Sequence, residues 1–181
     1  HSYGGILVPP SVCCFTDLAN VYNKALSDKS AFIGEFIDRN NTATFTNFFP
    51  NTRLMGCKKN CPLMGDYVNF LQTILSRDST NEMDFLGEAS NWWFDKMREN
   101  KVNMISGSQL GVKNKSGKVV LIEDLIGNNY IEFGPDTLGV YIPADELLRR
   151  TKYQWFCRLS PEQVLASETN IGKYLLLSCA L

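Results

Sequence analysis

The chain has 181 residues, of which 44% are hydrophobic and 20% are charged, and its net charge is −1. These values are ordinary for a globular protein made of one domain or two small ones. Acidic and basic residues nearly balance and no basic stripe stands out, so the sequence predicts no nucleic-acid partner. No apolar run is long enough for a membrane helix, so no membrane insertion is predicted either.

The only histidine is His1. Hydrolases of the Ser–His–Asp or Cys–His type need an internal histidine as a base, and Cys₂His₂ zinc sites need two as ligands. The sequence excludes these mechanisms for this chain alone, and no cofactor or metal is predicted. The chain begins without a methionine or a signal-peptide pattern, so we expect it to start within a longer protein or after processing.

The first part of the chain is predicted to form a β-hairpin followed by a long loop. Residues 14–23 carry a pattern that suits either a helix or a strand, whereas residues 30–39, rich in Phe and Ile, favour a strand. The turn composition of residues 26–30 favours pairing of the two segments. Residues 40–63 contain two prolines, two cysteines and many Asn and Thr, which predicts the loop.

Two amphipathic helices are predicted next. Apolar residues recur at helical spacing over residues 65–77 and again over residues 82–100. Trp92, Trp93 and Phe94 on the second helix form either a ligand or partner surface or part of the core. The amphipathic pattern favours the core.

The sequence after residue 100 predicts a β-rich region with two short helices. One helix covers residues 143–150, and another starts at Ser160, where Gln163 completes a capping box and Pro161 takes the first helical position. Residues 113–118 have the composition of a hairpin turn. The predicted strands lie within residues 104–112, 118–126, 129–133, 138–142 and 153–159.

Five carboxylates of this region form either a cation site or ordinary turn and helix-start positions. Their place after prolines and at helix starts favours the second interpretation. The five are Glu123, Asp124, Asp136, Asp145 and Glu146.

Cysteines and sequons indicate an oxidising compartment. Two Asn-x-Ser/Thr sequons occur, at Asn40 and Asn114. Cys57 and Cys61 are four residues apart and are followed by Pro62, so they form a local disulfide, a redox pair, part of a metal site or a pair of free thiols. Redox pairs are usually Cys-x-x-Cys, and a zinc site would need a second pair. The remaining cysteines are Cys13, Cys14, Cys157 and Cys179.

Three segments occur in one order: "YGGILVPPSVCCFTDL" (3–18), "AFIGEFIDRNNT" (31–42) and "LMGCKKNCPLMGDYVNFL" (54–71). This order resembles the C-terminal part of the secreted and lysosomal histidine acid phosphatases. That family has a Pro-Pro segment leading to a Cys and a strand, then a strand ending in Arg-Asn-x-Thr. A Gly-Cys-x-x-x-Cys-Pro-Leu segment then opens a helix that carries a Phe. The resemblance covers about residues 3–77.

The resemblance implies a local disulfide between Cys57 and Cys61. It also places Asn40 on the family's strand-end sequon, so we expect glycosylation there, with Asn114 as a second site. Cys13 matches a family cysteine that pairs with an earlier part of the enzyme, so its partner would be Cys157, Cys179 or a cysteine of another chain. Cys14 has no counterpart in the family.

The family hydrolyses phosphomonoesters with the histidine of an Arg-His-Gly segment and with a His-Asp pair. This sequence contains neither motif, since His1 is followed by Ser2. No catalytic residue is carried over, so the chain alone is expected to be inactive. A missing catalytic segment or a second chain is the partner that the resemblance implies.

The sequence as a whole predicts an α+β chain. Residues 1–80 resemble the C-terminal portion of the α/β histidine phosphatase fold, and residues 81–181 form a helix and a β-rich region of unknown affiliation. The first hypothesis is a secreted or lysosomal histidine acid phosphatase-related protein. The second is a non-enzymatic secreted or lumenal binding module on the same scaffold. The third is a cytosolic α+β interaction domain whose match is coincidental.

Overall fold

A computed structural model describes residues 2–38, 47–77 and 85–180 and shows a mixed α+β protein. The described strands are β1 (Gly5–Leu7), β2 (Val12–Cys14), β3 (Ala31–Asp38), β4 (Asn47–Cys57), β5 (Asn103–Ile105) and β6 (Gly139–Tyr141). The described helices are α1 (Leu18–Ala25), α2 (Pro62–Leu75), α3 (Phe85–Arg98), α4 (Ile122–Ile126), α5 (Ala144–Arg149), α6 (Gln154–Cys157), α7 (Pro161–Leu165) and α8 (Asn170–Cys179), with a 3₁₀ turn over Thr151–Tyr153.

The chain divides into two compact units, and each is discontinuous in sequence. The first unit contains His1–Pro9 and Leu18–Gly107, and the second contains Pro10–Asp17 and Ser108–Leu181. These bounds differ from the predicted segments 1–80 and 81–181. The difference arises because α3 packs against β4 in the first unit, and because β2 pairs with β6 in the second.

The first unit is built on a four-stranded mixed sheet of order β1-β4-β3-β5. Strand β4 is antiparallel to both neighbours, and β5 is parallel to β3. The β3–β4 register shifts where the partner of Ile33 is Met55 but the partner of Gly34 is Asn51. Pro50 lies outside the part of β4 that β1 covers, where a missing backbone N–H is tolerated.

The predicted hairpin of residues 14–23 with residues 30–39 is wrong, because most of the first segment forms α1. Val21 is buried on this helix, and Tyr22 donates a hydrogen bond from Oη to the carbonyl oxygen of Cys57 at 2.9 Å. Leu18, Val21 and Tyr22 are spaced i, i+3 and i+4, so the helical reading of the ambiguous pattern was the right one.

The predicted loop over residues 40–63 is wrong for Asn47–Cys57, which form β4. Residues 40–46 lie outside the described residues. Strand β4 exists because β3 pairs with both of its ends and β1 pairs with Met55, Gly56 and Cys57, a long-range pairing that its Asn, Thr and Pro content does not reveal.

The two predicted amphipathic helices are confirmed as α2 and α3. Helix α2 starts at Pro62, three residues before the predicted start, and proline suits the first turn of a helix. Residues 82–84 of the second predicted helix lie outside the described residues. The core under the sheet combines strand and helix residues, namely Ala31, Ile33, Cys57, Cys61, Leu63, Met64, Tyr67, Trp93 and Val102.

The second unit is mainly helical, so the prediction of a β-rich region is wrong for most of it, although β6 lies in the predicted strand 138–142. Helix α4 lies in the predicted strand 118–126, and α6 lies in the predicted strand 153–159. Short apolar runs do not separate strand from helix by periodicity. The Asp124 carboxylate accepts a hydrogen bond from the Leu121 backbone N–H at 2.9 Å, which stabilises the start of α4.

Local signals in this unit were predicted correctly. The Ser160 backbone N–H donates to Gln163 Oε1 at 2.8 Å, and the Gln163 N–H donates to Ser160 Oγ at 3.3 Å, which is the predicted capping box of α7. Helix α5 occupies the predicted helix 143–150. Residues 113–118 form the predicted turn, closed by an antiparallel bridge between Lys113 and Val119.

Candidate functional site

The cysteines of the predicted local disulfide, Cys57 and Cys61, lie at the junction between a strand and a helix. Cys57 is the last residue of β4, and Cys61 is the N-cap of α2. A tight turn joins them, in which the Cys61 N–H donates to the carbonyl oxygen of Lys58 at 3.2 Å. Asn60 has φ = +55°, a left-handed conformation that asparagine tolerates better than most residues. The turn therefore brings both cysteines to the same end of α2.

The two side chains are buried next to one another. Cys57 is 5% exposed and Cys61 is 1% exposed, and both are free thiols in the structure. Burial and the adjacent Cys61 thiol raise the pKa of Cys57. Cys61 Sγ also lies 3.4 Å from Ser30 Oγ, to which it donates. The arrangement suits a local disulfide, and the bond itself stays a prediction.

Cys179 lies near enough to Cys13 in the second unit to affect the pKa of its thiol. Cys13 lies on β2 in the core, and β2 packs against α8, which ends at Cys179. Burial first, and then the Cys14 and Cys179 thiols, raise the pKa of Cys13 to about 11. Of the two partners within the chain that the sequence left open for Cys13, Cys179 is therefore one that the structure brings close to it. Cys157 is exposed on α6.

The two predicted glycosylation sites differ in what the structure describes. Asn40 lies outside the described residues. Asn114 lies in the turn at 113–118, where its Oδ1 accepts hydrogen bonds from the Ser116 backbone N–H at 3.1 Å and the Ser116 hydroxyl at 2.8 Å. The Lys118 N–H donates to the same oxygen at 2.9 Å. The sequon therefore forms a surface turn whose shape its own asparagine maintains.

The predicted carboxylates take part in ion pairs and helix starts. Arg150 lies 2.9 Å from Glu123 and 2.9 Å from Glu146. Burial alone would raise the pKa of Glu123, but the Tyr153 hydroxyl and the charge of Arg150 lower it overall. Asp145 lies in the first turn of α5. Within the described ranges, no group of three or more His, Cys, Asp or Glu side chains is placed to hold a metal ion.

The aromatic residues of α3 pack against α2, as the amphipathic pattern favoured. Trp93 is fully buried, and its ring centroid lies 4.9 Å from that of Tyr67. Trp92 lies 5.0 Å from Tyr67 and 5.9 Å from Phe70. Phe94, in contrast, is 42% exposed.

A cleft beside this aromatic cluster was missed by the sequence reasoning. It has a volume of about 400 Å³. Lys96 Nζ lies 5.4 Å above the Trp92 ring and 3.1 Å from a carboxylate oxygen of Glu99. The helical spacing of these three residues, at i, i+4 and i+7, was a signal that could have found the cleft. Its lining residues are Trp92, Asp95, Lys96, Arg98 and Glu99.

The cleft is lined by equal numbers of acidic and basic side chains, and Glu99 forms ion pairs with neighbouring lysines. Glu99 accepts hydrogen bonds from Lys96, and its carboxylate lies 2.6 Å from Lys101 Nζ. The hydrogen bonds from Lys101 and Lys96 lower the pKa of Glu99. The cleft therefore offers an aromatic face with cations and anions side by side, an arrangement suited to a ligand that carries a ring and both charges.

None of the described helices is long and apolar enough to cross a bilayer. Comparison of the chain with models of protein families, with curated proteins and with solved structures finds no match.

Proposed function

We propose that the chain is a histidine acid phosphatase-related protein of the secretory pathway that does not itself hydrolyse phosphomonoesters. The observation that carries the proposal is the turn between Cys57 and Cys61. The two buried cysteines flank a tight turn between β4 and α2, as a local disulfide ahead of a helix requires.

Two of the three resembling segments have the secondary structure that the resemblance implies. Ala31–Asp38 form a strand, and α2 opens at Pro62 directly after Cys61 and carries Phe70. The first segment departs from the pattern, because a helix starts at Leu18 where a strand is expected. These features support a relationship through the scaffold and carry no catalytic residue with them.

The chemistry gives the reason for inactivity. The family's route needs an imidazole nucleophile and a positioned acid, and His1 is the only imidazole of this chain. Cations such as Arg53 and Lys58 would attract a phosphate but would provide no covalent route. Purified chain assayed with p-nitrophenyl phosphate at pH 5 should therefore show no turnover above a blank. Turnover that survives His1→Ala would contradict the proposal.

The compartment is tested separately from the activity. In secretory expression we expect a glycan on Asn40, seen as a mobility shift that Asn40→Gln abolishes, with Asn114 as the weaker site. A peptide map of secreted protein with Asn40 unmodified would count against this assignment. Six free thiols in the native protein would rule out the extracellular assignment altogether.

A second candidate function is a binding module, and the cleft on α3 favours it. An aromatic ligand that carries both charges, such as phosphotyrosine, would stack its ring on Trp92 in the place that Lys96 Nζ occupies, and Lys96 and Arg98 would turn to its phosphate. Asp95 and Glu99 would receive its ammonium group. Calorimetric titration with free phosphotyrosine tests this candidate.

The matched variants for this titration are two tryptophan substitutions. Trp92→Leu should abolish the binding of phosphotyrosine, because it removes the aromatic face of the cleft. Trp155→Leu should leave it unchanged, because Trp155 belongs to the second unit. An equal loss of binding in both variants, or no heat with the native chain, would reject the cleft as a site.

A further inference from the structure

The second unit brings together two segments that lie far apart in the sequence. Strand β2 packs against α8, and the Phe15 ring, which directly follows β2, lies with its centroid 5.8 Å from that of the Tyr174 ring on α8. Cys13 of β2 belongs to the same core cluster as Ile171 and Tyr174. The contact between β2 and α8 is therefore part of the core of this unit.

Each of the two segments carries a cysteine at this contact. Cys13 is the middle residue of β2 and is buried, whereas Cys179 is the last residue of α8 and is exposed. Cys179 follows Leu175 by about one helical turn, and Leu175 packs against the core cluster that contains Cys13. The Cys179 thiol also helps to raise the pKa of Cys13, an effect that requires the two thiols to be near each other. Helical spacing and electrostatics thus agree that Cys179 lies at the edge of the core near Cys13.

Cys13, rather than Cys14, is the partner that this geometry offers to Cys179. Neighbouring side chains of a strand point to opposite faces, so Cys14 points away from the core side on which Cys13 lies. In agreement, burial raises the pKa of Cys14, whereas the Cys179 thiol contributes to the raised pKa of Cys13. The same alternation disfavours a bond between Cys13 and Cys14, because both residues are paired in the ladder with β6.

The end of α8 is the side of this contact that can adjust. A disulfide needs Cα atoms about 4.4–6.8 Å apart. Cys13 is held in place by its pairing with Val140 in the middle of the β2–β6 ladder. Cys179 lies in the last turn of a helix, where backbone carbonyl groups have no partner within the helix and the ends fray. Adjustment of Cys179 towards Cys13 therefore leaves the core residues of the unit in place.

We infer that Cys13 and Cys179 form a disulfide that ties β2 to the end of α8 and makes the stability of the second unit depend on redox conditions. The bond joins residues 166 positions apart (179 minus 13). In the chain-entropy model, a loop of this length shifts the folding equilibrium on the order of a thousandfold, against about thirtyfold for the short Cys57–Cys61 loop. The bond needs an oxidant but no substrate, so this inference does not rest on the function proposed above.

Oxidised glutathione supplies the oxidant for this bond. The exposed Cys179 thiolate attacks one sulfur of glutathione disulfide, which forms a mixed disulfide and releases one glutathione thiolate. The Cys13 thiolate then attacks the Cys179 sulfur and releases the second glutathione. Two protein thiols are oxidised, and one glutathione disulfide is reduced to two thiols that take up the two protons. Cys179 reacts first, because the raised pKa of Cys13 makes its thiolate scarce at neutral pH.

Peptide mapping without reduction tests the pairing. The full chain with Cys14→Ser is equilibrated in a buffer of oxidised and reduced glutathione, alkylated and digested with trypsin. In protein isolated as a monomer by gel filtration, we expect peptide 1–24, which then carries Cys13 alone, to be joined to peptide 174–181, which carries Cys179. The proposal would be overturned if Cys13 were alkylated, joined to peptide 153–158 through Cys157, or joined to Cys179 only in a covalent dimer.

Two matched serine variants test the effect on stability. Oxidation of the native chain should raise its folding equilibrium constant, measured by urea denaturation, by at least on the order of a thousandfold. Cys179→Ser should reduce this gain to the roughly thirtyfold that the Cys57–Cys61 loop supplies, and Cys157→Ser should leave the gain unchanged. Both substitutions replace exposed thiols, so we expect the reduced proteins to keep the fold, which circular dichroism checks. An equal gain on oxidation in the two variants would overturn the proposal.

Discussion

Asn170 donates a hydrogen bond from Nδ2 to the backbone carbonyl oxygen of Asn129 at 2.7 Å. The same amide donates to the carbonyl oxygen of Asp124 at 2.8 Å, and the Asn170 backbone N–H donates to the Gly127 carbonyl at 2.8 Å. Asn170 is 3% exposed, so these bonds form out of contact with water. One side chain therefore fixes the start of α8 to the end of α4 and the loop after it.

Asn170→Ala should lower the free energy of unfolding by about 2–4 kcal/mol, because two carbonyl groups lose their buried donor. Urea denaturation followed by circular dichroism measures the change. Asn128→Ala, at an exposed position of the same loop, is the control and should change stability by less than about 0.5 kcal/mol. Equal effects of the two substitutions would contradict this account of Asn170.

Cys57 and Cys61 should be linked by a disulfide in protein made under oxidising conditions. Digestion without reduction should then give one cross-linked peptide that contains both residues. Because the closed loop is short, reduction of this bond should cost only about 2 kcal/mol of stability in the chain-entropy model. Cys57 paired with another cysteine, or both thiols alkylated without prior reduction, would disprove the Cys57–Cys61 disulfide.

The reduced protein should lose stability between about pH 9 and pH 11 because of Cys13. Its pKa is raised from an ordinary 9.0 to about 11, mainly by burial, so in this range the unfolded chain releases the proton while the folded chain keeps it. The stabilisation is complete below pH 9, and its loss by pH 11 amounts to on the order of 2 kcal/mol.

Urea denaturation of the reduced protein at several pH values measures this loss. Cys13→Ala should make the loss between pH 9 and pH 11 smaller without abolishing it, because burial also raises the pKa of Cys14 and Cys57. The matched control Cys157→Ala changes an exposed thiol and should leave the pH dependence as it is. A native protein whose stability does not change over this range would refute the assignment.

Gly111→Ala should destabilise the protein by ~3 kcal/mol or more, for two reasons that act together. The residue has φ = +62°, and an added Cβ would lie 2.5 Å from the Gly139 carbonyl oxygen and 2.8 Å from Val140 Cα. Gly117→Ala is the matched control, since Gly117 has φ = +79° but open space around it, and should cost only about 1 kcal/mol. Thermal unfolding of both variants would separate backbone conformation from close packing, and similar losses would argue against the close approach.

The features predicted correctly from the sequence are those that local chemistry decides. Helix α2 follows from the spacing of its apolar residues and from Pro62 in its first turn. The capping box of α7 follows from Ser160 and Gln163 alone.

The features that the sequence did not reveal depend on distant partners. Strand β4 carries Pro50 and several polar residues, and it becomes a strand because β1 and β3 pair with it. The segment at Leu18 was ambiguous by itself, and burial of Val21 in the folded unit decides for a helix. Pairing and burial of this kind belong to the folded chain and cannot be read from one window of sequence.

Of the two candidate sites, one can be seen in the sequence and the other was missed. The Cys57–Cys61 pair is visible in the sequence because its spacing is short, and the structure adds the strand and the helix on either side. The cleft on α3 was missed because Lys96 and Arg98 fit the expected charge pattern of a helix end. The helical spacing places Lys96 beside Trp92, but the side of the Trp92 ring that stays open to the cleft depends on how α3 packs against α2.

The pairing of β2 with β6 has a consequence for synthesis of the chain. Cys14 pairs with Gly139, which is 125 positions later (139 minus 14). At about 5–20 residues per second, β2 waits on the order of 6–25 seconds for its partner to be translated. During that interval β6 is not yet present to cover Cys13 and Cys14, although Cys13 is buried in the finished fold. In the secretory compartment proposed above, oxidants and disulfide isomerases would reach these two cysteines before the second unit closes over Cys13.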